Sequence, residues 1–173
     1  MKLSDIQTLK IPYRGNLLNL EIGKTMLPNT RLVQKGDTLQ ILLTSLCVSD
    51  KEKADEVQSK LIFWLKAEAR RYLTLEVEKQ KRLYGIAYKD IAIKDTASRW
   101  GSCSALKNLN FSWRLILAPP EILAYVVTHE IAHLTHLNHS PEFWSLVASR
   151  YPEYKKAKQW LTDNGQAIMD FLN

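Results

Sequence analysis

The stretch that most limits how this chain can fold is "YVVTHEIAHL", residues 125–134. It is apolar on almost every side, so a helix made from it has no face to offer to water and belongs inside the molecule. Yet the same stretch carries His129, Glu130 and His133. Burying a carboxylate and two imidazoles is costly unless something satisfies them, and a divalent cation with its water would do so. The fold must therefore pack other elements around an internal helix with a polar centre.

All four histidines, His129, His133, His136 and His139, fall between residues 129 and 139. Four residues of helix turn through about 400° and rise about 6 Å, so His129 and His133 project from nearly one face. Both rings can reach one ion at about 2.0–2.1 Å. Glu130, turned by about 100°, cannot comfortably share that ion but can reach a water held there, which is the mechanical content of His-Glu-x-x-His. A catalytic zinc needs a third protein ligand and an open position. His136 would sit about 10 Å along the axis from His129 if the helix continued, too far for one ion to be shared. His139 follows Asn138, a residue that tolerates the left-handed turn ending a helix, and a chain turning there swings the His139 ring back beneath the metal. Reach favours His139 over His136.

Zn²⁺ lowers the pKa of bound water from about 15.7 to about 7. Glu130 is then the natural general base, taking the water proton and passing it to a leaving amine. A further donor to the developing oxyanion is expected, with His136, Arg99 and Tyr125 as candidates. Each also has a plainer reading: outer-layer or surface histidine, surface cation, core aromatic. Imidazole suits several divalent ions, so the donor set alone does not single out zinc.

Around this centre the chain reads as α+β. "IQTLKIPY", "LLNLEIG", "TRLVQ" and "TLQILLTSL" alternate as strands, with Gly15-Asn16 and Gly36-Asp37 as turns, which predicts a small antiparallel sheet of hairpins over residues 1–48. "SDKE" at 49–52 is a capping box. It opens a long amphipathic helix whose apolar stripe includes Leu61, Phe63, Trp64, Leu65, Tyr72, Leu73 and Leu75, stopping at Gly85. Strand character returns at "DIAIKD" (90–95) and "LNFSWRLILA" (109–118), with the irregular "TASRWGSCSALKN" between them. Pro119-Pro120 ends that strand and opens a helix to about Leu137. Ser140-Pro141 opens another through Arg150, and Pro152 a last one carrying Trp160 and Leu161. The order of strands, helix, strands and helices makes residues 1–173 a single α+β domain, with a β-rich part (1–48) and a helical catalytic part (49–173).

Composition enters through compartment and partners. No apolar run approaches the length needed to cross a bilayer. "MKLSDIQTLKIPY" is too polar for a signal peptide, so a cytoplasmic location is expected. Cys47 and Cys103 then read as free thiols. A net charge of +6 is compatible with polyanions through Arg70, Arg71, Lys79, Lys81 and Arg82 or the run Lys155, Lys156 and Lys158, although such charges more often form a solvated helix face.

"RWGSCS" (99–104), "LNFSWRLILAPPEILAYVVTHEIAHL" (109–134) and "NHSPEFW" (138–144), taken in that order, resemble the YgjP-like metallopeptidase family. That family is similar to the SprT and WLM groups of zincin-type proteases. The resemblance covers about residues 10–165 and is sharpest from Arg99 to Trp144. It implies a zincin-like fold, zinc on the residues matching His129, His133 and His139, and Glu130 as the catalytic carboxylate. It also implies a peptide or protein substrate in a cleft lined by Arg99, Trp100, Gly101 and Ser102, an extended peptide adding to the edge of the following strand. For Trp100 and Cys103 the plainer reading is packing beneath the site. His136 stands where metzincins carry glycine, and no Met-turn follows, so that class is not assigned. SprT- and WLM-type relatives are associated with DNA-bound proteins, but the extra DNA-binding or partner-binding segments of those larger proteins are not seen here. Beside a zinc metallopeptidase, two readings compete: a metal-dependent hydrolase of a nucleoside triphosphate, and a non-catalytic metal-stabilised binding module whose fourth position is closed by His136.

Overall fold

The computed structural model of the chain describes residues 9–44, 46–47, 49–96 and 98–172. It begins with strands β1 (Lys10–Tyr13) and β2 (Asn16–Thr25), joined by Arg14 and Gly15. Their φ angles of 51° and 79° are the left-handed pair of a two-residue hairpin turn. The turn thus lies one residue earlier than the Gly15-Asn16 expectation, and Asn16 opens β2. Strands β3 (Arg31–Lys35) and β4 (Thr38–Thr44) form the second hairpin, with Gly36 at φ 60°.

The expectation of a purely antiparallel sheet fails at its centre. The strand order is β1-β2-β4-β3, and β2 runs parallel to β4, from Asn19 beside Thr38 to Thr25 beside Thr44. β2 continues past its hairpin to Thr25, and residues 26–30 return the chain so that β4 docks beside it and β3 takes the outer edge. In β4, Leu39, Ile41 and Leu43 alternate inward, as a sheet with one buried face requires.

Helix α1 spans Asp50–Tyr84. Its capping box is formed as read: the Glu52 backbone N–H donates to Ser49 Oγ and the Ser49 N–H to the Glu52 carboxylate. Gly85 ends it with φ 61°. The buried stripe is Ala54, Val57, Leu61, Leu65, Ala69, Leu73 and Val77. Phe63 and Leu75, read as part of it, are 73% and 55% exposed, because neither falls on the three- and four-residue spacing of that stripe.

The chain divides into two compact units. One runs up to Leu65 and takes in Leu172, and the other spans Lys66–Phe171. In the first, Tyr13 packs on Trp64 at 5.0 Å between ring centroids, which ties the sheet to the first half of α1.

The second unit holds strands β5 (Asp90–Lys94), β6 (Gly101–Cys103) and β7 (Asn108–Ser112) in the order β5-β7-β6. β5 is parallel and β6 antiparallel to β7, so both sheets are mixed and β6 is an edge. The strand read over 109–118 stops at Ser112, and Trp113–Leu117 form a 3₁₀ turn. The Ser112 hydroxyl accepts from the Arg114 N–H and so caps the turn. Helices α2 (Pro120–Ala132), α3 (Pro141–Arg150) and α4 (Tyr154–Met169) follow. As its composition demands, α2 is buried along most of its length and touches α3, α4, β6 and the 3₁₀ turn. Its second half also meets α1, where the Gln80 amide donates to Thr128 Oγ1 at 2.9 Å. Among the described residues no helix is long and apolar enough to cross a membrane.

Candidate metal centre

Helix α2 ends at Ala132, five residues short of the Leu137 expectation. The tighter turns that follow, with the Leu134 N–H on the Ile131 carbonyl and the Thr135 N–H on that of Ala132, direct the His136 carbonyl back toward the helix. That carbonyl lies 2.9 Å from His133 Nδ1. A carbonyl can only accept, so Nδ1 carries the proton and Nε2 keeps its lone pair. The early stop also frees the chain to return at His139.

The three imidazoles converge. His129 Nε2 and His139 Nε2 are 3.0 Å apart, and one donor atom from each of His129, His133 and His139 lies within 4.8 Å of the others. Ring centroids are 5.0 Å apart for His129–His133, 5.0 Å for His129–His139 and 4.7 Å for His133–His139. Four nitrogen donors bonded tetrahedrally at about 2.0–2.1 Å stand about 3.3 Å from one another, close to the His129–His139 separation. The His136 ring is outside the cluster.

An aromatic platform supports the cluster, and nothing in the histidine spacing announces it. Phe143 is fully buried. It stacks on His133 at 4.5 Å and meets His129 at 4.9 Å and His139 at 4.8 Å edge-on. Trp144 stacks on His139 at 5.7 Å. Both come from the first turn of α3, which Ser140 caps by accepting from the Phe143 N–H. His129 Nδ1 is buried without a hydrogen-bond partner among the described residues. Its ring is held by packing instead, edge-on to Phe143, Trp144 and Tyr125.

Electrostatics favour neutral donors. Burial, followed by the neighbouring His133, His139 and Lys158, pushes His129 down to about 4. Burial, His133 and Lys158 also lower His139. Mutually close imidazoles, two of them held toward the neutral form, suit a divalent cation, so the residues fit the group that the motif implies.

Glu130 is 6% exposed. Burial pushes its carboxyl up to about 7, while Arg99 pulls the other way. β6 passes against it so closely that a Cβ built on Gly101 would lie 2.7 Å from both Cγ and Oε1 of Glu130. A side chain at position 101 would therefore displace the Glu130 side chain from where it sits. Trp100, its neighbour, turns toward α4, where a Cβ on Gly165 would come within 3.1 Å of the indole. Of the residues read as a substrate cleft, Arg99, Gly101 and Ser102 line a groove of about 260 Å³ together with Lys94, Ser98 and Asn110. Trp100 is absent from that lining.

Of the oxyanion candidates, Arg99 is exposed. Tyr125 is buried, 6.1 Å from the His129 ring, and burial with Glu130 and Tyr154 nearby raises it to about 12. The Cys103 thiol is pushed up by burial and by Glu130. Among the cations read as polyanion contacts, Arg71, Lys79, Lys81 and Lys156 pair with Glu68, Glu76, Glu78 and Glu153 one turn earlier on their own helices, as a solvated face does.

An internal helix presenting two imidazoles and a carboxylate beside an edge strand, with a third imidazole returned from the following loop, is the layout of a metal-dependent hydrolase. The family model described as YgjP-like, metallopeptidase domain, matches residues 2–164 of the chain. The protein belongs to the YgjP-like metallopeptidase family. Its mixed α+β architecture is of the zincin-like type, and its activity class is that of a metal-dependent peptidase. No curated protein matches the chain.

Proposed function

We propose that this chain is a zinc-dependent peptidase of the cytoplasm, acting as one functional domain across both units. In this reading His129, His133 and His139 hold the ion, Glu130 is the general base, and the peptide lies extended along β6. The observation that carries the proposal is the convergence of the imidazoles, His129 Nε2 and His139 Nε2 lying 3.0 Å apart, on the helix that buries Glu130 next to them. When bound, zinc supplies a water acidified to near neutral pH and polarises the carbonyl to be cleaved.

The remaining work falls to the chain. A carboxyl poised near neutrality can accept a proton and return it, and Arg99 together with a nearby cation favours the ionised form that accepts first. Glu130 receives the water proton and delivers it to the leaving amine. The Gly101 backbone limits where its carboxylate can sit. β7, the strand that follows the cleft segment, is paired with both β5 and β6 and so offers no edge, contrary to expectation. β6 ends its sheet, so its outer edge can pair with an extended substrate through backbone hydrogen bonds. The His136 ring lies outside the cluster, which supports an open coordination position over a closed, purely structural site.

The test offers zinc-loaded protein and its Glu130→Gln variant an unfolded protein, single-stranded DNA carrying bound protein, and a nucleoside triphosphate panel. Peptide cleavage should fall by about 100-fold or more in the variant, with zinc content unchanged. Phosphate release lost in the variant would replace the peptidase reading with a phosphohydrolase. A variant that purified without metal would overturn the role given to Glu130.

A further inference from the structure

Beyond the triad, the stacked rings continue. His139 lies on Trp144 at 5.7 Å, and Trp144 on Tyr154 at 5.5 Å. Above the indole sits Lys158, its Nζ 5.0 Å from the Trp144 centroid. Trp144, Tyr154, Lys155, Lys158, Gln159 and Thr162 line an open groove of about 420 Å³. No carboxylate is among the lining residues, and Lys158 has no ion pair among the described residues. The groove reaches the metal centre directly, because the Trp144 ring that floors it also contacts His129 and His139.

An ammonium there is an awkward choice for stability alone. Lys158 stands over the indole that itself meets His129 and His139, and it would repel the cation those rings are arranged to hold. Its attraction to the indole is worth only about 0.5–1 kcal/mol at an exposed site. What the position offers is an ammonium above an aromatic floor, in a groove that Lys155 also lines and that has room for a side chain. A carboxylate can meet the ammonium while the methylenes that carry it rest on the rings.

We propose that this groove is a substrate subsite that selects an acidic residue, with Lys158 as the specificity-determining cation and Trp144 and Tyr154 as its floor. The inference rests on the peptidase reading above. The selected residue lies one to three positions from the bond to be cleaved, since an extended chain advances about 3.3–3.6 Å per residue. A side-chain carboxylate and the carboxylate of a peptide's C-terminus share this chemistry.

The test uses quenched fluorescent peptides in which Glu, Gln or Lys is scanned through the three positions on each side of the cleaved bond. Each peptide is made with a free and with an amidated C-terminus. At one position kcat/KM should favour Glu over Gln by about tenfold, the Lys peptide being poorest. Lys158→Ala should bring the Glu-to-Gln ratio to about one, and Lys158→Glu should turn the preference toward Lys. A preference that follows the free C-terminus assigns the groove to the chain end.

Binding of labelled, uncleaved peptides to zinc-loaded Glu130→Gln, read by fluorescence anisotropy, repeats the comparison without turnover. If no peptide is cleaved but the Glu peptide still binds about tenfold tighter than the Gln peptide, the subsite stands and the peptidase reading falls. A Glu-to-Gln ratio near one in both assays overturns the subsite. So does a loss of single-stranded DNA binding in Lys158→Ala without any change in peptide preference, which would make the groove a nucleic-acid contact.

Discussion

At the scale of single residues, the position that best separates reading from seeing is Gly101. In the sequence it is one member of "RWGSCS" and reads as cleft lining. In the structure its missing side chain is what gives Glu130 its place, since a methyl group there would overlap the Glu130 side chain at 2.7 Å. Gly101→Ala should lower kcat by about tenfold or more while zinc content holds, and it should cost about 1–3 kcal/mol of stability through overpacking. In a Glu130→Ala background the space is vacated and the stability cost should disappear, a coupling that a double-mutant cycle measures. An equal loss in both backgrounds would mean that Gly101 answers to something other than Glu130. The convergence of His129, His133 and His139 is legible because their relation is local, set by helix rise and one turn. Gly101 and Phe143 are not, because each owes its role to contact between elements that no spacing along the chain encodes.

At the scale of elements, signals at helix ends are legible in the sequence, and pairing between distant segments is not. The Ser49–Glu52 box and the Gly85 stop lie where the residues put them. The strand expected to run to residue 118 breaks at Ser112, where a tertiary cluster takes over. Asp95, just past β5, accepts from Arg114 at 2.6 Å, Trp113 Nε1 at 2.9 Å and Lys66 at 2.8 Å, and so holds the 3₁₀ turn and α1 to that sheet. Burial would raise the Asp95 carboxyl, but the bonds from Lys66, Arg114 and Trp113 outweigh it and hold the group well below the usual range. An acid with a lowered folded pKa adds stability above its unfolded value of about 3.9 and loses that stability as pH falls toward the folded one. Urea midpoints should therefore drop below about pH 4, and Asp95→Asn should flatten that acid limb. Because Asp95 is 48% exposed, solvent screening keeps the effect to about 1 kcal/mol. An acid limb unchanged in the variant would show that other carboxylates govern it.

At the scale of the whole molecule, metal and folding are linked. A ligand that binds only the folded chain at a thousandfold excess over its Kd adds about 4 kcal/mol to the free energy of unfolding. Thermal melts in zinc and in chelator should differ accordingly. His139→Ala should abolish the difference. His136→Ala should keep it, since the backbone carbonyl and not the ring meets His133. The reverse result would move the third donor to His136. The sheet of the first unit sets a different kind of rule, one about chain length. β4 is paired on both sides, parallel to β2 and antiparallel to β3. Losing one residue within Thr38–Thr44 would turn the inward residues on one side of the gap outward, against two neighbours together. Residues 26–30 belong to no hairpin, and Met26 there is 98% exposed. Extra residues can enter that crossing while every rung of the ladder stays in place, so descendants of this chain are free to vary in size there and nowhere along β4.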